Sequence, residues 1–158
     1  MPSCMKHETI LIGIKHRTAN LENVITFLEK MNISRKKVMI ETPRYPIPER
    51  YYERNRSYCD FYDGLYQYLY KKGAHIIHGD SEELIEKAHK KLFGLWSYSL
   101  FSDDWWREYK KTICEERDPY FYMVYKIHHP KIIVIDGFHT LYLRKRIQCE
   151  YYEIPKES

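Results

Sequence analysis

The chain has few of the amide and small side chains that most globular proteins use freely. Among its 158 residues, glutamine occurs only at positions 67 and 148 and alanine only three times, whereas tyrosine occurs 16 times. Scarce amides beside abundant Lys and Glu are typical of thermophilic proteins, so we expect a heat-stable protein. The length predicts one domain, large enough to bury a core.

Signals for export, membrane insertion and a zinc knuckle are also missing. Residues 1–8 are polar and contain no apolar stretch of a signal peptide, and no apolar run approaches the length of a membrane span. Cys4, Cys59, Cys114 and Cys149 lack Cys-x-x-Cys spacing, so we expect free thiols. These absences predict a cytoplasmic protein that does not associate with membranes.

Short apolar runs alternate with helical patterns along the whole chain. Apolar runs bounded by Gly, Pro or Asp are typical of strands buried on both faces of a parallel sheet. The predicted strands are 9–14, 37–40, 74–78, 131–136 and, at an edge, 148–154. The predicted helices are 21–31, 58–72, 80–93, 102–113, 118–128 and 141–146. The pattern predicts a single α/β domain with a mostly parallel sheet of four to five strands and helices on both faces.

Two local patterns predict helix starts, and a third marks a long segment without regular structure. Asp80 followed by Glu83 predicts a capping box. Asp118 before Pro119 predicts a helix cap and therefore a break in the helical pattern. Segment 43–57 has prolines at positions 43, 46 and 48 and is rich in Arg and Tyr. It is predicted to be a long loop that acts as a lid.

Polar residues follow the predicted strands. His16 follows the first strand, Glu41 and Arg44 the second, Asp80 the third and His139 the fourth. Ligands of open parallel sheets bind at the carboxyl ends of the strands, so we expect these side chains at one edge. Imidazole is a common metal ligand and base, and a buried carboxylate needs a cationic partner. The sequence therefore predicts a site at this edge.

Four short segments are informative through their order along the chain. They are Ile-Gly-Ile-Lys-His at 12–16, Met-Ile-Glu-Thr-Pro-Arg at 39–44, Glu-Arg-Asp-Pro-Tyr-Phe-Tyr-Met at 116–123 and Val-Ile-Asp-Gly-Phe-His at 134–139. This order resembles the TraB/Tiki superfamily, which includes erythromycin esterase-like and ChaN-like proteins. The chain is shorter than usual for that family, and Gly137 and His139 stand one residue closer than in its Gly-x-x-His pattern. The resemblance implies a hydrolase, which in the Tiki branch is a metal-dependent peptidase.

On this resemblance, His16, Glu41 and His139 would form a cluster that activates water, directly or through a Mn, Zn or Mg ion. Arg44 and Arg117 would hold Glu41 or an anionic part of the substrate and stabilise oxyanion charge. Loss of Arg117 is then expected to cost activity more than stability. No nucleotide or organic cofactor is indicated, and the substrate stays open.

An acidic cluster supports a second function. Asp80, Glu83 and Glu86 stand at the start of a predicted helix, and carboxylate clusters bind Mg²⁺ for phosphodiester cleavage. The basic, Tyr-rich segment 44–56 could follow a phosphate backbone, and the formal charge of +4 permits an anionic partner. This combination predicts a Mg²⁺-dependent nuclease acting on DNA. The simpler explanation is an exposed helix start whose acids complement the helix dipole.

A third alternative is an interaction protein without chemistry. Trp105 and Trp106 are adjacent, so on a helix they cannot both face the core. Together with Trp96, one of them is expected to be exposed or to fill a homodimer interface. The many tyrosines fit core packing equally well.

Overall fold

The computed structural model describes residues 9–14, 19–94 and 103–154. Its centre is a sheet of five parallel strands in the order β3-β2-β4-β1-β5. The strands are β1 (Thr9–Ile14), β2 (Lys37–Ile40), β3 (His75–His78), β4 (Ile132–Asp136) and β5 (Cys149–Ile154). The predicted single α/β domain with a parallel sheet is confirmed, including the edge position of the last strand.

Seven helices of the described residues connect and cover these strands. They are α1 (Ala19–Glu29), α2 (Glu49–Arg54), α3 (Arg56–Lys71), α4 (Glu82–Gly94), α5 (Asp103–Cys114), α6 (Arg117–His128) and α7 (Gly137–Arg144). None of the helices in the described part of the chain has the length and apolar character needed to cross a bilayer.

The two faces of the sheet have separate apolar cores, because successive side chains of a strand point to opposite faces. On one face, Ile12 and Val134 belong to a buried cluster with residues of α1 and α3, such as Leu28. On the other face, Leu11 belongs to a buried cluster with residues of α6 and α7, such as Phe121. This two-sided burial explains why the central strands β1, β2 and β4 are almost continuously apolar, whereas the edge strands β3 and β5 are not.

The predicted loop 43–57 is wrong in its second half. Helix α2 begins directly after Pro48, and α3 begins at Arg56. Proline removes a backbone donor and cannot stand inside a helix, but it is well tolerated at a helix start. Pro48, the last of the three prolines, therefore marks the end of the irregular segment.

Two predicted helix caps are wrong for a common reason. At α4 the cap is Ser81, whose Oγ accepts from the Leu84 N–H at 3.3 Å, whereas the Asp80 carboxylate pairs with Arg117. At α6 the N-cap is Glu116, and Asp118 binds His139 instead. Both aspartates have stronger, charged partners than a backbone N–H. The predicted break before this helix is confirmed, since α5 ends at Cys114 and α6 begins at Arg117.

Helix α7 begins at Gly137, four residues before the predicted start at 141. Asp136 is its N-cap and accepts from the Phe138 N–H at 2.8 Å. The helix therefore starts directly from the end of β4, and it brings His139 into its first turn.

His16 and Trp96 lie outside the described residues, as do the side chains of Trp105 and Trp106, so the roles predicted for them stay predictions.

Candidate functional site

A cavity of about 290 Å³ opens at the carboxyl edge of the sheet. Its floor is formed by Glu41, Arg117, Asp136 and His139. Glu41 directly follows β2 and Asp136 ends β4, while Arg117 and His139 stand at the starts of α6 and α7. Because β2 and β4 pair in parallel, their ends deliver two carboxylates to the same place.

Glu41 is buried and is held by several donors. Its side chain is only 2% exposed. Oε1 accepts from the backbone N–H of Asp136 at 2.7 Å, and Oε2 accepts from Nη2 of Arg117 at 3.0 Å. The hydroxyl of Tyr58 donates to the backbone oxygen of Glu41 at 2.5 Å. The carboxylate is therefore fixed in orientation before any ligand binds.

Arg117 bridges two buried carboxylates. In addition to Glu41, it binds Asp80 through Nε at 3.2 Å and through Nη2 at 2.5 Å. Burial disfavours the charge of Arg117, but the charges of Asp80 and Glu41 outweigh it and raise the pKa of the guanidinium above its ordinary value. Arg117 is therefore a permanent cation at the floor of the cavity.

Gly79 allows Asp80 to reach this bridge. A Cβ at position 79 would lie 2.7 Å from Cε of Met39 and 3.2 Å from the backbone oxygen of Ile40. The Gly79 N–H donates to that oxygen at 2.9 Å, so the chain after β3 stays tightly against β2. A side chain at position 79 would have to displace the Met39 side chain and would crowd the Ile40 oxygen, so glycine allows this close approach, which places Asp80 beside Glu41 and Arg117.

His139 lies between two carboxylates. Its Nδ1 is 2.5 Å from Oδ1 of Asp118, and its Nε2 is 3.7 Å from Oε2 of Glu41. Burial lowers the pKa of the imidazole, but the charge of Glu41 and the hydrogen bond to Asp118 outweigh burial and raise it to about 10. The ring is 1% exposed, and its edge-on contact with Phe121 further fixes its orientation.

One group in the described part of the chain could hold a metal ion. Cys114, Asp118 and His139 come from α5, α6 and α7, and one ligand atom from each lies within 4.8 Å of the others. This group shares only His139 with the predicted set of His16, Glu41 and His139. In that predicted set, the oxygens of Glu41 already accept from Arg117 and Asp136, while His16 lies outside the described residues.

Arg44 lies away from this floor. It pairs with Glu82 on α4 at 2.9 Å, and its side chain is 52% exposed. The chain turns after β2, where the Thr42 N–H donates to the Ile40 oxygen, and Arg44 continues over the surface. The cation that holds Glu41 is therefore Arg117, which is 76 positions away in sequence.

The acidic residues predicted to bind Mg²⁺ are separated. Asp80 belongs to the Arg117 bridge, and Glu83 is exposed. Glu86 binds Arg54 at 2.8 and 3.0 Å and Arg50 at 2.8 Å. The acidic helix start and the basic segment 44–56 thus neutralise each other, and among the described residues the three acids do not form a metal-binding group.

The predicted lid segment forms part of the cavity wall. Tyr51, Arg54 and Asn55, from α2 and the residue after it, line the cavity.

The sequence did not single out Asp118, Asp136 or Cys114 as site residues. Asp136 could have been found as a polar residue at the end of a buried strand, and Asp118 within the Glu-Arg-Asp segment, whereas Cys114 carries no local signal.

Comparison of the chain with protein-family models, curated proteins and solved structures finds no match. The resemblance to the TraB/Tiki superfamily therefore stays a prediction. The function has to be argued from the chemistry of the site.

Proposed function

We propose that the chain is a hydrolase in which Glu41 and His139 act together on a water molecule at the cavity floor. The main support is the pair itself: two buried ionisable side chains 3.7 Å apart, each held by its own charged partner. Burying such groups is costly and adds little to stability compared with apolar packing. Ionisable pairs of this kind, facing a cavity, are typical of active sites.

The geometry gives each side chain a separate role. Glu41 is the carboxylate beside the His139 ring at the cavity floor, and in this proposal it is the base that takes a proton from water. Arg117 and the Asp136 N–H keep that carboxylate in place. His139 is oriented by Asp118, and its Nε2 can donate to the oxyanion that forms when water attacks a carbonyl carbon.

The same site is consistent with the roles that the TraB/Tiki resemblance implies for Glu41 and His139. Of the three metals predicted, the described ligand group favours Zn²⁺, because thiolate and imidazole bind it better than they bind Mg²⁺ or Mn²⁺. Cys114, Asp118 and His139 would hold the ion in place of the Asp118–His139 hydrogen bond, because a ligating imidazole nitrogen carries no proton, and the ion would act as a Lewis acid. The nuclease alternative has less support, since Glu86 is bound by Arg50 and Arg54 of the segment that was predicted to contact DNA.

The test compares Glu41→Gln with Glu83→Gln, a matched change at an exposed carboxylate predicted for the nuclease. Hydrolysis of 4-nitrophenyl esters and of peptides is measured beside DNA cleavage in Mg²⁺. Loss of the base should reduce ester or peptide hydrolysis by about 10²-fold or more, while Glu83→Gln should change nothing. Circular dichroism checks that both variants are folded. Full activity of folded Glu41→Gln would refute the proposed site.

A further inference from the structure

Above its charged floor, the cavity has mainly apolar and aromatic walls. On α4, Ile85, Ala88 and Leu92 line it at spacings of three and four residues, so they share one helix face. On α5, Tyr109 and Ile113 also line it. A ligand in this cavity would therefore have its reacting group near the floor and an apolar part between α4 and α5.

One polar group in these walls lacks a partner. Tyr51 is 4% exposed, and its hydroxyl is a buried polar atom without a hydrogen-bond partner among the described residues. Burial and the charges of Glu82 and Glu86 raise the pKa of Tyr51 to about 12, so the hydroxyl keeps its proton at neutral pH. A buried donor without an acceptor lowers stability, and a bound ligand with an acceptor would reverse that loss.

The ring of Tyr51 is held in place by two arginines. The guanidinium carbons of Arg50 and Arg54 lie 5.0 and 5.6 Å from the ring centre. Both arginines form ion pairs with Glu86 of α4, and Arg50 also pairs with Glu82. These contacts fasten α2 to α4, so turning the phenol outward to water would mean breaking them. The segment predicted to be a lid is thus held in place as a wall of the cavity. The Tyr51 hydroxyl is a hydrogen-bond donor in that wall.

We infer that Tyr51 is a specificity-determining residue whose hydroxyl donates a hydrogen bond to an acceptor oxygen of a small, uncharged, largely apolar acyl compound. The position of the scissile carbonyl over Glu41 and His139 rests on the proposed function, whereas the contact with Tyr51 does not. A cavity of about 290 Å³ is at the small end of ligand pockets, so it suits one acyl group rather than a polymer. The part of the ligand beside Ile85, Ala88 and Leu92 is expected to be uncharged, because these apolar side chains would desolvate a charge without compensation.

The experiment uses anilides that differ by one atom. N-Phenylpentanamide is compared with 2-ethoxy-N-phenylacetamide and 3-methoxy-N-phenylpropanamide, in which an ether oxygen replaces a chain carbon. Dissociation constants are measured by calorimetry for the wild type, Tyr51→Phe and the matched control Tyr52→Phe. The wild type and the control should bind at least one ether about three- to tenfold more tightly than the hydrocarbon, the range expected for one neutral hydrogen bond. Tyr51→Phe should lose this preference.

Stability provides an independent measurement. Because the hydroxyl has no partner, Tyr51→Phe should melt at the same temperature as the wild type or higher. A lower melting temperature would show that the hydroxyl has a structural partner and would overturn the inference, as would an unchanged ether preference or no binding of any anilide to the wild type. If the ether preference depends on Tyr51 but no ester is hydrolysed, the proposed function fails and this inference stands. If hydrolysis depends on Glu41 but Tyr51→Phe does not change the ether preference, the proposed function stands and this inference fails.

Discussion

Replacing Arg117 by methionine tests the charged floor of the site most directly. The change keeps much of the side-chain volume but removes the cation from Glu41 and Asp80, which are 2% and 0% exposed. Two carboxylates would then be buried beside each other without the guanidinium that now binds both. The expectation from sequence, that Arg117 matters to activity more than to stability, is therefore revised: we expect a large loss of both.

The size of the stability loss follows from the burial of the partners. Removing one member of a buried ion pair costs about 3–5 kcal/mol, because the other charge is left uncompensated. For a chain of this length, each kcal/mol shifts the melting temperature by about 2–4 °C, so the expected decrease is roughly 6–20 °C. An exposed pair contributes about 0–1 kcal/mol. The matched control is Arg44→Met, which removes an arginine that is 52% exposed and should lower the melting temperature by only a few degrees.

The assay is thermal and urea unfolding of both arginine variants, and of Arg117→Met combined with Asp80→Asn. Neutralising Asp80 removes one of the two uncompensated charges, so Arg117→Met should cost less in that background. Arg117→Lys should lie between the wild type and Arg117→Met, because lysine restores the charge but not the two-pronged contact with Asp80. If Arg117→Met cost no more than Arg44→Met, a buried Glu41–Arg117–Asp80 bridge would be refuted.

Two further predictions concern Glu86 and Cys114. Hydrogen bonds from Arg54 and then Arg50 lower the pKa of Glu86 from 4.5 to about 2, so its stabilisation is present above pH 4.5 and is lost as the pH falls through about 2. Glu86→Gln should therefore be less stable than the wild type at pH 7 by about 1 kcal/mol, discounted for partial exposure. The difference should shrink as the pH falls and vanish below the folded-state pKa of about 2. A difference in urea unfolding that stays constant with pH would contradict this. On addition of Co²⁺, the wild type should show the absorption of a cobalt–thiolate bond. Cys114→Ser should abolish this absorption, and the control Cys149→Ser should retain it. Absorption that persists in Cys114→Ser would exclude Cys114 as a metal ligand.

The sheet could be predicted from sequence because its strands are buried on both faces. Continuous apolar runs such as those of β1 and β4 have few alternatives in a chain of this composition. Helix starts were harder to predict, since they depend on which partner a polar side chain finds. Asp80 and Asp118 have the chemistry of helix caps, but the folded chain offers each a buried cation, and a charged partner wins over a backbone N–H.

The site was partly predictable for the same reason. Parallel strands end at one edge, so Glu41 could be assigned to it from sequence, and His139 by its position just after β4. The choice between Arg44 and Arg117 as the partner of Glu41 could not be made, because it depends on where α6 begins relative to β2. Arg44 is close to Glu41 in sequence, which favoured it as the partner. In the folded chain, Arg44 pairs with Glu82 at the surface, whereas Arg117 pairs with Glu41 at the cavity floor.

The charged residues of this chain are thus divided into two sets by burial. The exposed set joins Arg44, Arg50 and Arg54 to Glu82 and Glu86, and it fastens α2 to α4 as a wall of the cavity. The buried set joins Arg117 and His139 to three carboxylates at the end of the sheet. Replacing the exposed set by apolar contacts would preserve the wall at little cost. The buried set is expensive to maintain and gives no stability that apolar packing could not supply, which supports the proposal of an active site at the cavity floor.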